Sequence, residues 1–285
     1  MEAKDKAFSH KKTLLLKGNL MDLSHPKLMG IINTTPDSFY DGGYNVVMDK
    51  ALASVNKMLE DGANIIDIGG YSTKPNASDV AVEEERRRVI PLIDSLIQKF
   101  PDIVISIDTF RSEIAKEAVE AGASIINDVS GGNLDDKMFE TVSELQVPYI
   151  LMHMRGTPAT MQNLNEYKHL IKDVVFELSE KLEKLRSLQI NDVIIDPGFG
   201  FAKSLEQNYE MLNNLSYFNI LECPLLIGLS RKSMIYKLLG NEAKDALNGT
   251  TALNMVALMN GANILRVHDV REAVETVKLF NKLKN

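Results

Sequence analysis

The stretch that decides the fold is residues 103–128, IVISIDTFRSEIAKEAVEAGASIIND. It begins with an apolar, β-branched run, Ile103–Asp108, continues with the amphipathic segment Ser112–Ala121, and returns to a second apolar run, Ser124–Asp128. Short apolar runs that alternate with segments of helical periodicity predict buried parallel strands joined by helices. The predicted fold class is therefore α/β.

The same pattern extends along the whole chain. We predict eight such strands: Leu28–Asn33, Asn64–Gly69, Ile103–Asp108, Ser124–Asp128, Tyr149–His153, Val193–Asp196, Leu225–Ser230 and Asn263–His268. The helices predicted between them include Val46–Asp61, Val82–Phe100, Ser112–Ala121, Tyr167–Gln189 and Arg271–Leu283. Eight sequential βα units with right-handed crossovers close naturally into a (β/α)8 TIM barrel. We expect a single domain over residues 1–285, with its core at about 28–283.

Two smaller patterns add detail to this barrel. Leu14–Leu16, followed by Lys17-Gly18-Asn19, predicts a short N-terminal β-hairpin that plugs the N-terminal end of the barrel. The tetrapeptides at 61–64, 121–124 and 260–263 (DGAN, AGAS and NGAN) form a weak repeat where a helix is predicted to end and a strand to begin. Glycine at such a position is typical of a helix C-cap.

Composition and charge exclude several classes of protein. A net charge of −7 and a pI near 5.4 argue against a nucleic-acid-binding or anionic-membrane surface, because both need basic residues. The single cysteine, Cys223, cannot form an internal disulfide and is expected in the core. No apolar run approaches the ~18 residues of a membrane span. We expect a cytoplasmic protein.

Polar residues stand at the carboxyl ends of the predicted strands, where TIM barrels place their active sites. They are Asn33, Asp67, Asp108, Asn127, Asp128, His153, Asp196, Ser230, Arg231, Lys232, Arg266 and His268. Carboxylates and amides suit a heterocycle rich in hydrogen-bond donors, whereas arginine, histidine and lysine suit an anion. We therefore predict two subsites. The loops 34–45 and 70–80 are longer than most βα loops and are predicted to act as lids.

Eight sequence blocks give the most specific signal. They are MGIINTTPDSFYDGG (29–43), IDIGGYSTKP (66–75), ISIDTF (105–110), SIINDVS (124–130), YILMHMRGTP (149–158), IIDPGFGFAKS (194–204), IGLSRKSM (227–234) and ILRVHD (264–269). In this order they resemble the dihydropteroate synthases, transferases of folate biosynthesis. The resemblance implies condensation of 6-hydroxymethyl-7,8-dihydropterin pyrophosphate with p-aminobenzoate to give 7,8-dihydropteroate and pyrophosphate. It also implies a homodimer that is a target of sulfonamides.

The resemblance assigns expected roles to individual residues. The pterin is expected to contact Asp108, Asn127, Asp196 and Lys232. The pyrophosphate is expected to contact Asn33, Lys74, Arg266 and His268, with Mg2+ as cofactor and Asn33 as its protein ligand. The aminobenzoate is expected to contact Phe39, Thr73, Pro75, Phe201 and Ser233, near the start of a helix. The expected catalytic residues are Asp108, Asp196, Lys232, Arg266 and His268.

The chemistry favours a particular mechanism. An arylamine is already a neutral nucleophile at pH 7, so departure of pyrophosphate is the demanding step. We predict a dissociative displacement, in which pyrophosphate leaves first, neutralised by Mg2+, Arg266 and His268. Asp108 and Asp196 then stabilise the positive charge that the pterin ring shares with its methylene group.

Some residues also have a plain structural explanation. Asp67 is expected either to support a neighbouring group or to touch substrate, and His153, between two methionines, is expected in the core. The triplet 86–88 follows three glutamates and predicts a solvated helix face with ion pairs. Tyr71 and Lys74 stand where the family commonly has glutamate and arginine. Lysine keeps the charge but lacks bidentate phosphate recognition.

Three other functions remain open from the sequence. A methyltetrahydrofolate-dependent corrinoid methyltransferase shares the pterin pocket but needs no pyrophosphate site. The motifs around Ser72-Thr73-Lys74-Pro75, Ser230–Ser233 and Arg266–His268 favour the synthase over it. A catalytically inactive pterin-binding paralogue is the second alternative. Schiff-base aldolase chemistry at Lys232 is the third.

Overall fold

Eight parallel strands form one sheet that closes into a barrel. The computed structural model describes residues 11–34, 43–71 and 80–284. Its strands β1 to β10 are Thr13–Leu16, Asn19–Asp22, Lys27–Asn33, Ile65–Gly69, Ile105–Asp108, Ile125–Asp128, Tyr149–Met152, Val193–Asp196, Leu226–Ile227 and Ile264–Val267. β3 to β8 pair in sequence, and β10 pairs with both β3 and β9. A parallel bridge between Ile195 and Leu225 closes the last gap, which confirms the predicted (β/α)8 barrel.

Helices follow the barrel strands and cover the outside of the sheet. The α-helices α1 to α9 of the described part are Gly43–Asp61, Val82–Lys99, Ser112–Glu120, Met138–Leu145, Leu170–Ser187, Leu205–Asn213, Ser233–Leu239, Leu247–Met259 and Val270–Lys284. In α2, Val89, Leu92, Ile93 and Leu96 recur at intervals of three and four residues and are all buried. This spacing places them on one face, which packs against the strands. None of the described helices is long and apolar enough to cross a membrane.

The predicted element boundaries are close to the observed ones. The five predicted helices are present, with ends that differ by three residues or fewer, which is usual for helix termini. Among the strands, the largest difference concerns the seventh barrel strand, predicted as Leu225–Ser230 and observed as Leu226–Ile227. Residues 228–230 stay buried but leave the sheet, because the chain turns through Arg231, at φ 55°, into α7.

The N-terminal hairpin seals one end of the barrel, as predicted. β1 and β2 pair antiparallel, with Thr13 opposite Asp22. Leu14, Leu16 and Leu23 are buried against the lowest layer of barrel side chains, formed by Met29, Ile65, Ile125, Ile150, Ile194, Leu226 and Ile264. Burial of a leucine side chain contributes about 1.5–3 kcal/mol. The opposite, carboxyl-terminal end of the strands is therefore left for function.

The repeated glycines end helices as predicted. Gly122 follows α3 with φ 121°, a conformation that a residue with a Cβ rarely adopts. A Cβ at this position would also lie only 2.7 Å from Ile97. Gly62 and Gly261, the equivalent residues after α1 and α8, have φ values of 108° and 103°.

Candidate active site

The carboxyl ends of the barrel strands bring the predicted site residues to one end of the molecule. Parallel pairing sets Asn33 beside Gly69, Gly69 beside Asp108, and Asp108 beside Asn127. Four further predicted residues lie on or after later strands: Asp196 at the end of β8, Lys232 after β9, Arg266 in β10 and His268 directly after it. The closed barrel thus gathers residues that are far apart in the sequence.

An ion-pair network lies among these strand ends. Arg266 donates from Nε to Asp67 Oδ2 and from Nη2 to Asp108 Oδ2, both at 2.6 Å. Asn127 Nδ2 donates to the same Asp67 oxygen at 3.1 Å. Asp67 is fully buried, and its Oδ1 has no hydrogen-bond partner in the described part of the chain. Of its two expected roles, Asp67 has contacts that match the supporting one, because it holds Arg266 and Asn127.

Burial and neighbouring charges shift the pKa values within this network. Burial raises the pKa of Asp108 to about 7; Arg266 acts in the opposite direction, and Asp67 adds to the rise. Burial disfavours the charge of Arg266, but the carboxylates of Asp67 and Asp108 outweigh it and raise its pKa. This end of the barrel therefore combines a permanent guanidinium charge with a carboxyl group that titrates near neutral pH.

Asp196 and Lys232 are brought together by the loops after β8 and β9. Asp196 Oδ1 accepts a hydrogen bond from the Gly198 N–H at 2.8 Å, and Lys232 Nζ donates to the Phe199 carbonyl. Lys232 Nζ also lies 4.9 Å from the centre of the Phe201 ring. Burial raises the pKa of Asp196, and burial lowers the pKa of Lys232 to about 8 although part of its side chain reaches solvent. Such opposed shifts are common at functional sites.

Gly69, which has no side chain, pairs with Asn33 on one side and with Asp108 on the other. A Cβ at Gly69 would lie 3.6 Å from both Asn33 Oδ1 and Asp108 Oδ2. No cluster of three or more His, Cys, Asp or Glu side chains suited to a metal is found in residues 11–34, 43–71 and 80–284. Asn33, which is exposed, offers a single amide oxygen. This donor set fits Mg2+ held by one protein oxygen together with phosphate oxygens and water.

His268 lies two residues beyond Arg266, at the end of β10. Its Nδ1 lies 3.0 Å from Ser230 Oγ, and its backbone N–H donates to the same oxygen at 3.2 Å. Ser230 is buried, whereas His268 is exposed. The serine therefore orients an accessible imidazole at the end of the strand that carries Arg266, and N–H donors of these two side-chain types suit an anion.

Comparison with known proteins shows the family of the chain. Residues 29–268 match the family model described as pterin binding enzyme. The chain is 42% identical to the dihydropteroate synthase of Escherichia coli K12 over 268 residues, which cover 93% of this chain and 94% of the relative. It belongs to the dihydropteroate synthase family.

Solved structures of the dihydropteroate synthase family superpose over nearly the whole chain. The enzyme of Yersinia pestis, in complex with a sulfonamide drug, has a TM-score of 0.89 and 40% identity, covering 95% of this chain and 99% of its own. The enzyme of Xanthomonas albilineans, in complex with 7,8-dihydropteroate, has a TM-score of 0.85 and 36% identity, covering 95% and 98%.

The predicted aminobenzoate subsite of this dihydropteroate synthase family member is only partly described. Phe201 lies against Lys232, and Ser233 is the first residue of α7. Three predicted aminobenzoate contacts, Phe39, Thr73 and Pro75, lie outside the described residues, as does Lys74, a predicted pyrophosphate contact. Their roles stay predictions, as do the ligand contacts assigned to the other site residues.

Two of the polar strand-end residues stabilise loops. Asp128 accepts hydrogen bonds from Tyr149 Oη and from the Ser130 N–H, both at 2.7 Å. Arg231 forms a bidentate ion pair with Asp269, at 2.8 and 2.9 Å. Their polar groups are therefore already occupied within the protein.

The predicted solvated face of the triplet 86–88 is wrong for Arg88. Arg86 and Arg87 form the expected ion pairs, but Arg88 is only 7% exposed and donates to the Gly70 carbonyl at 2.9 Å. Three consecutive helical residues span about 200° around the axis, so they cannot all face solvent when one side packs on a barrel. Glu85, one of the three glutamates before the triplet, is also not on the solvated face, because it is fully buried.

Glu85 belongs to a network at the ends of the second long loop that the sequence motifs do not indicate. It accepts a hydrogen bond from Arg111 Nη1 at 2.5 Å. Arg111 Nη2 also donates to the Val80 carbonyl at 2.6 Å, while Arg88 holds the Gly70 carbonyl. Two guanidinium groups thus hold the two described ends of the 70–80 loop.

His153 is a buried core residue, as expected. Its Nε2 lies 2.9 Å from Glu177 Oε2. Burial and the nearby Lys203 lower its pKa to about 4, so the ring is neutral at pH 7.

Lys203 was not among the predicted site residues, although it lies in the block 194–204. Burial lowers its pKa to about 7, and the Asp196 carboxylate opposes that shift.

Proposed function

We propose that this protein is a dihydropteroate synthase, a transferase of folate synthesis. It joins p-aminobenzoate to 6-hydroxymethyl-7,8-dihydropterin pyrophosphate and releases 7,8-dihydropteroate and pyrophosphate. The observation that carries the proposal is the set of two buried carboxylates, Asp108 and Asp196, beside Arg266 and Lys232 at one end of the barrel. Solved relatives are described with 4-aminobenzoic acid and with 7,8-dihydropteroate.

The carboxylates and the amide suit the pterin ring. An aminopyrimidinone edge offers paired donors, which the Asp196 carboxylate can accept together, and each charged hydrogen bond contributes about 1.5–3 kcal/mol. Asp108 and Asn127 supply hydrogen-bonding groups for the rest of the ring. Asp108 and Asp196 are 8% and 7% exposed, so the ring displaces little bulk water and the interactions are weakly screened.

Arg266, His268 and Asn33 supply the pyrophosphate subsite. Arg266 has five N–H donors, and the bonds to Asp67 and Asp108 use its Nε and Nη2, which leaves Nη1 for an anion. Mg2+, held by Asn33, supplies Lewis-acid neutralisation of the leaving-group oxygens when it is bound. Lys74, assigned to the same anion, lies outside the described residues.

The reaction proceeds by dissociative displacement in this proposal. The bond between the pterin methylene carbon and the pyrophosphate oxygen breaks, and its electron pair leaves with pyrophosphate, which Arg266 and His268 stabilise. The amine lone pair then forms the new carbon–nitrogen bond, and the amine releases a proton. Asp108 and Asp196, both close to the ring, stabilise the positive charge between the two steps.

The decisive experiment mixes the protein with dihydropterin pyrophosphate, Mg2+ and p-aminobenzoate and measures dihydropteroate and pyrophosphate. Asp196→Asn should lose most of the turnover. Asp192→Asn should keep it, because Asp192 lies at the opposite end of β8, where its Oδ1 is 2.8 Å from Lys11 Nζ. No turnover by the unmodified protein would refute the proposed function. Release of pyrophosphate without aminobenzoate supports the dissociative order, and a strict need for both substrates contradicts it.

The alternative activities have weaker support. A corrinoid methyltransferase needs the pterin subsite but no anion subsite, so Arg266 and His268 favour the synthase. Aldolase chemistry needs an uncommitted amine, but Lys232 Nζ donates to the Phe199 carbonyl. An inactive paralogue would give no turnover in the assay described above.

A homodimer is part of the proposal. α7 exposes Leu238 and Leu239, with 58% and 55% of their surface accessible, and α8 exposes Val256 and Met259. The two helices are neighbours: a Cβ at Gly249 of α8 would lie 3.2 Å from Leu239. Apolar side chains exposed together on adjacent helices are typical of a protein–protein interface. A cytoplasmic location stays a prediction from the sequence.

A further inference from the structure

A buried lysine lies behind the loop that follows β8. Lys203 is 6% exposed, and its Nζ lies 3.0 Å from His153 Nδ1, 3.1 Å from the Gly198 carbonyl oxygen and 3.0 Å from the Phe201 carbonyl oxygen. An ammonium group has three donors and no acceptor. The three acceptors therefore match the three N–H bonds of a charged Lys203.

His153 and Glu177 determine the direction of these hydrogen bonds. Glu177 is ionised, because hydrogen bonds from His153 and Arg155 outweigh its burial and lower its pKa to about 2, so it can only accept. The one proton of the neutral His153 ring therefore lies on Nε2, 2.9 Å from Glu177 Oε2, and Nδ1 accepts from Lys203. Glu177 also accepts from Arg155 Nε at 3.0 Å. The neutral imidazole thus links the lysine to an ionised carboxylate, and each donor in the chain meets an acceptor.

The loop from Asp196 to Ala202 needs support from outside. Gly198 and Gly200 have φ values of 73° and 81°, and Ala202, which carries a Cβ, has φ 49°. A non-glycine residue in the left-handed region costs about 1–2 kcal/mol. A Cβ at Gly198 would lie 2.0 Å from the His153 carbonyl oxygen, so the loop also lies directly against the end of β7.

The other side of the same loop carries groups assigned to both substrates. Asp196, at its start, is the predicted pterin acceptor, and Phe201 is a predicted aminobenzoate contact. Phe199 holds Lys232 through its carbonyl oxygen. Lys203 bonds to the loop at Gly198 and Phe201, on either side of Phe199. A change in the lysine should therefore alter the position of Asp196 and Phe201 together.

We propose that Lys203 is a positioning residue for the condensation: it fixes the 196–202 loop from behind, so that the Asp196 carboxylate and the Phe201 ring face their substrates. His153 and Glu177 hold the lysine in the orientation that this requires. The proposal rests on the proposed function, because the loop serves two subsites only if pterin and aminobenzoate bind there.

Lys203→Met tests the positioning role, because methionine keeps an unbranched apolar chain but has no donor. We expect KM for both substrates to rise about tenfold or more, since small displacements of contact groups have large effects. The matched control is Lys181→Met. Lys181 is a partly buried lysine of α5 that lines the same cleft as His153 and Glu177, but within the described part of the chain it forms no hydrogen bond to the 196–202 loop. Its KM values should stay within about twofold of the unmodified protein.

A purely structural role predicts a different result. If Lys203 has only a structural role, Lys203→Met should lower the midpoint of thermal unfolding. Both KM values should then be unchanged at temperatures where the variant is folded. Unchanged KM values in a folded Lys203→Met protein, with an active unmodified enzyme, would refute the positioning role alone. An unmodified enzyme that makes no dihydropteroate would refute the proposed function instead.

Two variants of His153 provide an independent test if Lys203→Met does not fold. Asparagine places an oxygen near the position of the imidazole Nδ1 and still accepts a hydrogen bond from Lys203, whereas leucine cannot. We expect His153→Leu to raise both KM values and His153→Asn to restore them most of the way. Equal KM values in the two variants contradict the proposal.

Discussion

Arg266 depends on two carboxylates for its position, and Asp67 is the one that substrate does not need to touch. Asp67→Asn keeps the shape of the side chain but removes the charge that faces Arg266 Nε and Asn127. We expect kcat/KM for dihydropterin pyrophosphate to fall about tenfold or more, equivalent to about 1.4 kcal/mol of transition-state stabilisation. Steady-state kinetics of pyrophosphate release measure this kcat/KM.

The control for this substitution is Asp61→Asn. Asp61 pairs with Lys57 at 2.9 Å on the surface of α1, where ion pairs contribute about 0–1 kcal/mol. Its kcat/KM should match that of the unmodified enzyme. Equal effects of the two substitutions, or none from Asp67→Asn, would contradict a supporting role for Asp67.

The titration of Asp108 predicts a pH dependence. Burial raises the pKa of Asp108 to about 7, so its carboxylate loses its charge as the pH falls through that value. Because the ionised form is the one that stabilises positive charge on the pterin, kcat/KM should decrease below about pH 7. The measurement is kcat/KM across about pH 5.5–8.5. In Asp108→Asn the residual activity should lack this acidic limb, and a flat profile in the unmodified enzyme would exclude the assignment.

The N-terminal hairpin stabilises the barrel without taking part in the chemistry. Leu14 has no exposed surface and packs on the lowest layer of the barrel, whereas Leu20 in the same hairpin is 70% exposed. Leu14→Ala should lower the free energy of unfolding by about 2–5 kcal/mol, as expected for a buried leucine. Leu20→Ala should change it by less than about 0.5 kcal/mol. Urea unfolding measures both, and similar values for the two variants would contradict the proposed packing.

The strands and helices could be predicted from the sequence because their signals are local. Apolar residues with β-branched side chains mark a buried strand such as Ile103–Asp108 within a few residues, and polar residues at its end mark the site. The contacts within the site are not local. Arg266 and Asp67 are 199 residues apart and meet only because the barrel closes.

The sequence also does not indicate the two hydrogen-bond networks behind the site, Glu85 with Arg111 and Lys203 with His153, because their contacts are not local either. Glu85 stands among charged residues that look solvated, and its partner Arg111 is 26 residues away. Lys203 resembles an ordinary lysine before a helix, and its acceptor His153 is 50 residues away. Burial of a charged side chain becomes visible only when its partners are known, because an unpaired charge would be too costly to bury.

The two ends of the barrel have separate tasks. The hairpin removes one end from solvent, and the strand ends with their ion pairs form the other. Substitutions in the apolar layer under the barrel are therefore expected to change stability, and those among the polar strand ends to change activity. The exposed faces of the outer helices form a third surface, separate from both ends of the barrel.

That surface predicts the oligomeric state. Leu239 in α7 and Met259 in α8 are 55% and 63% exposed, and their helices are neighbours. Leu239→Glu with Met259→Glu places two negative charges in the proposed interface, where charged residues are depleted. We expect the unmodified protein to sediment as a dimer and the double variant as a monomer. Phe176→Glu is the control: Phe176 is 62% exposed but lies on α5, so the dimer should persist. A monomeric unmodified protein, or a dimer that survives both charges in α7 and α8, would place the interface elsewhere or exclude it.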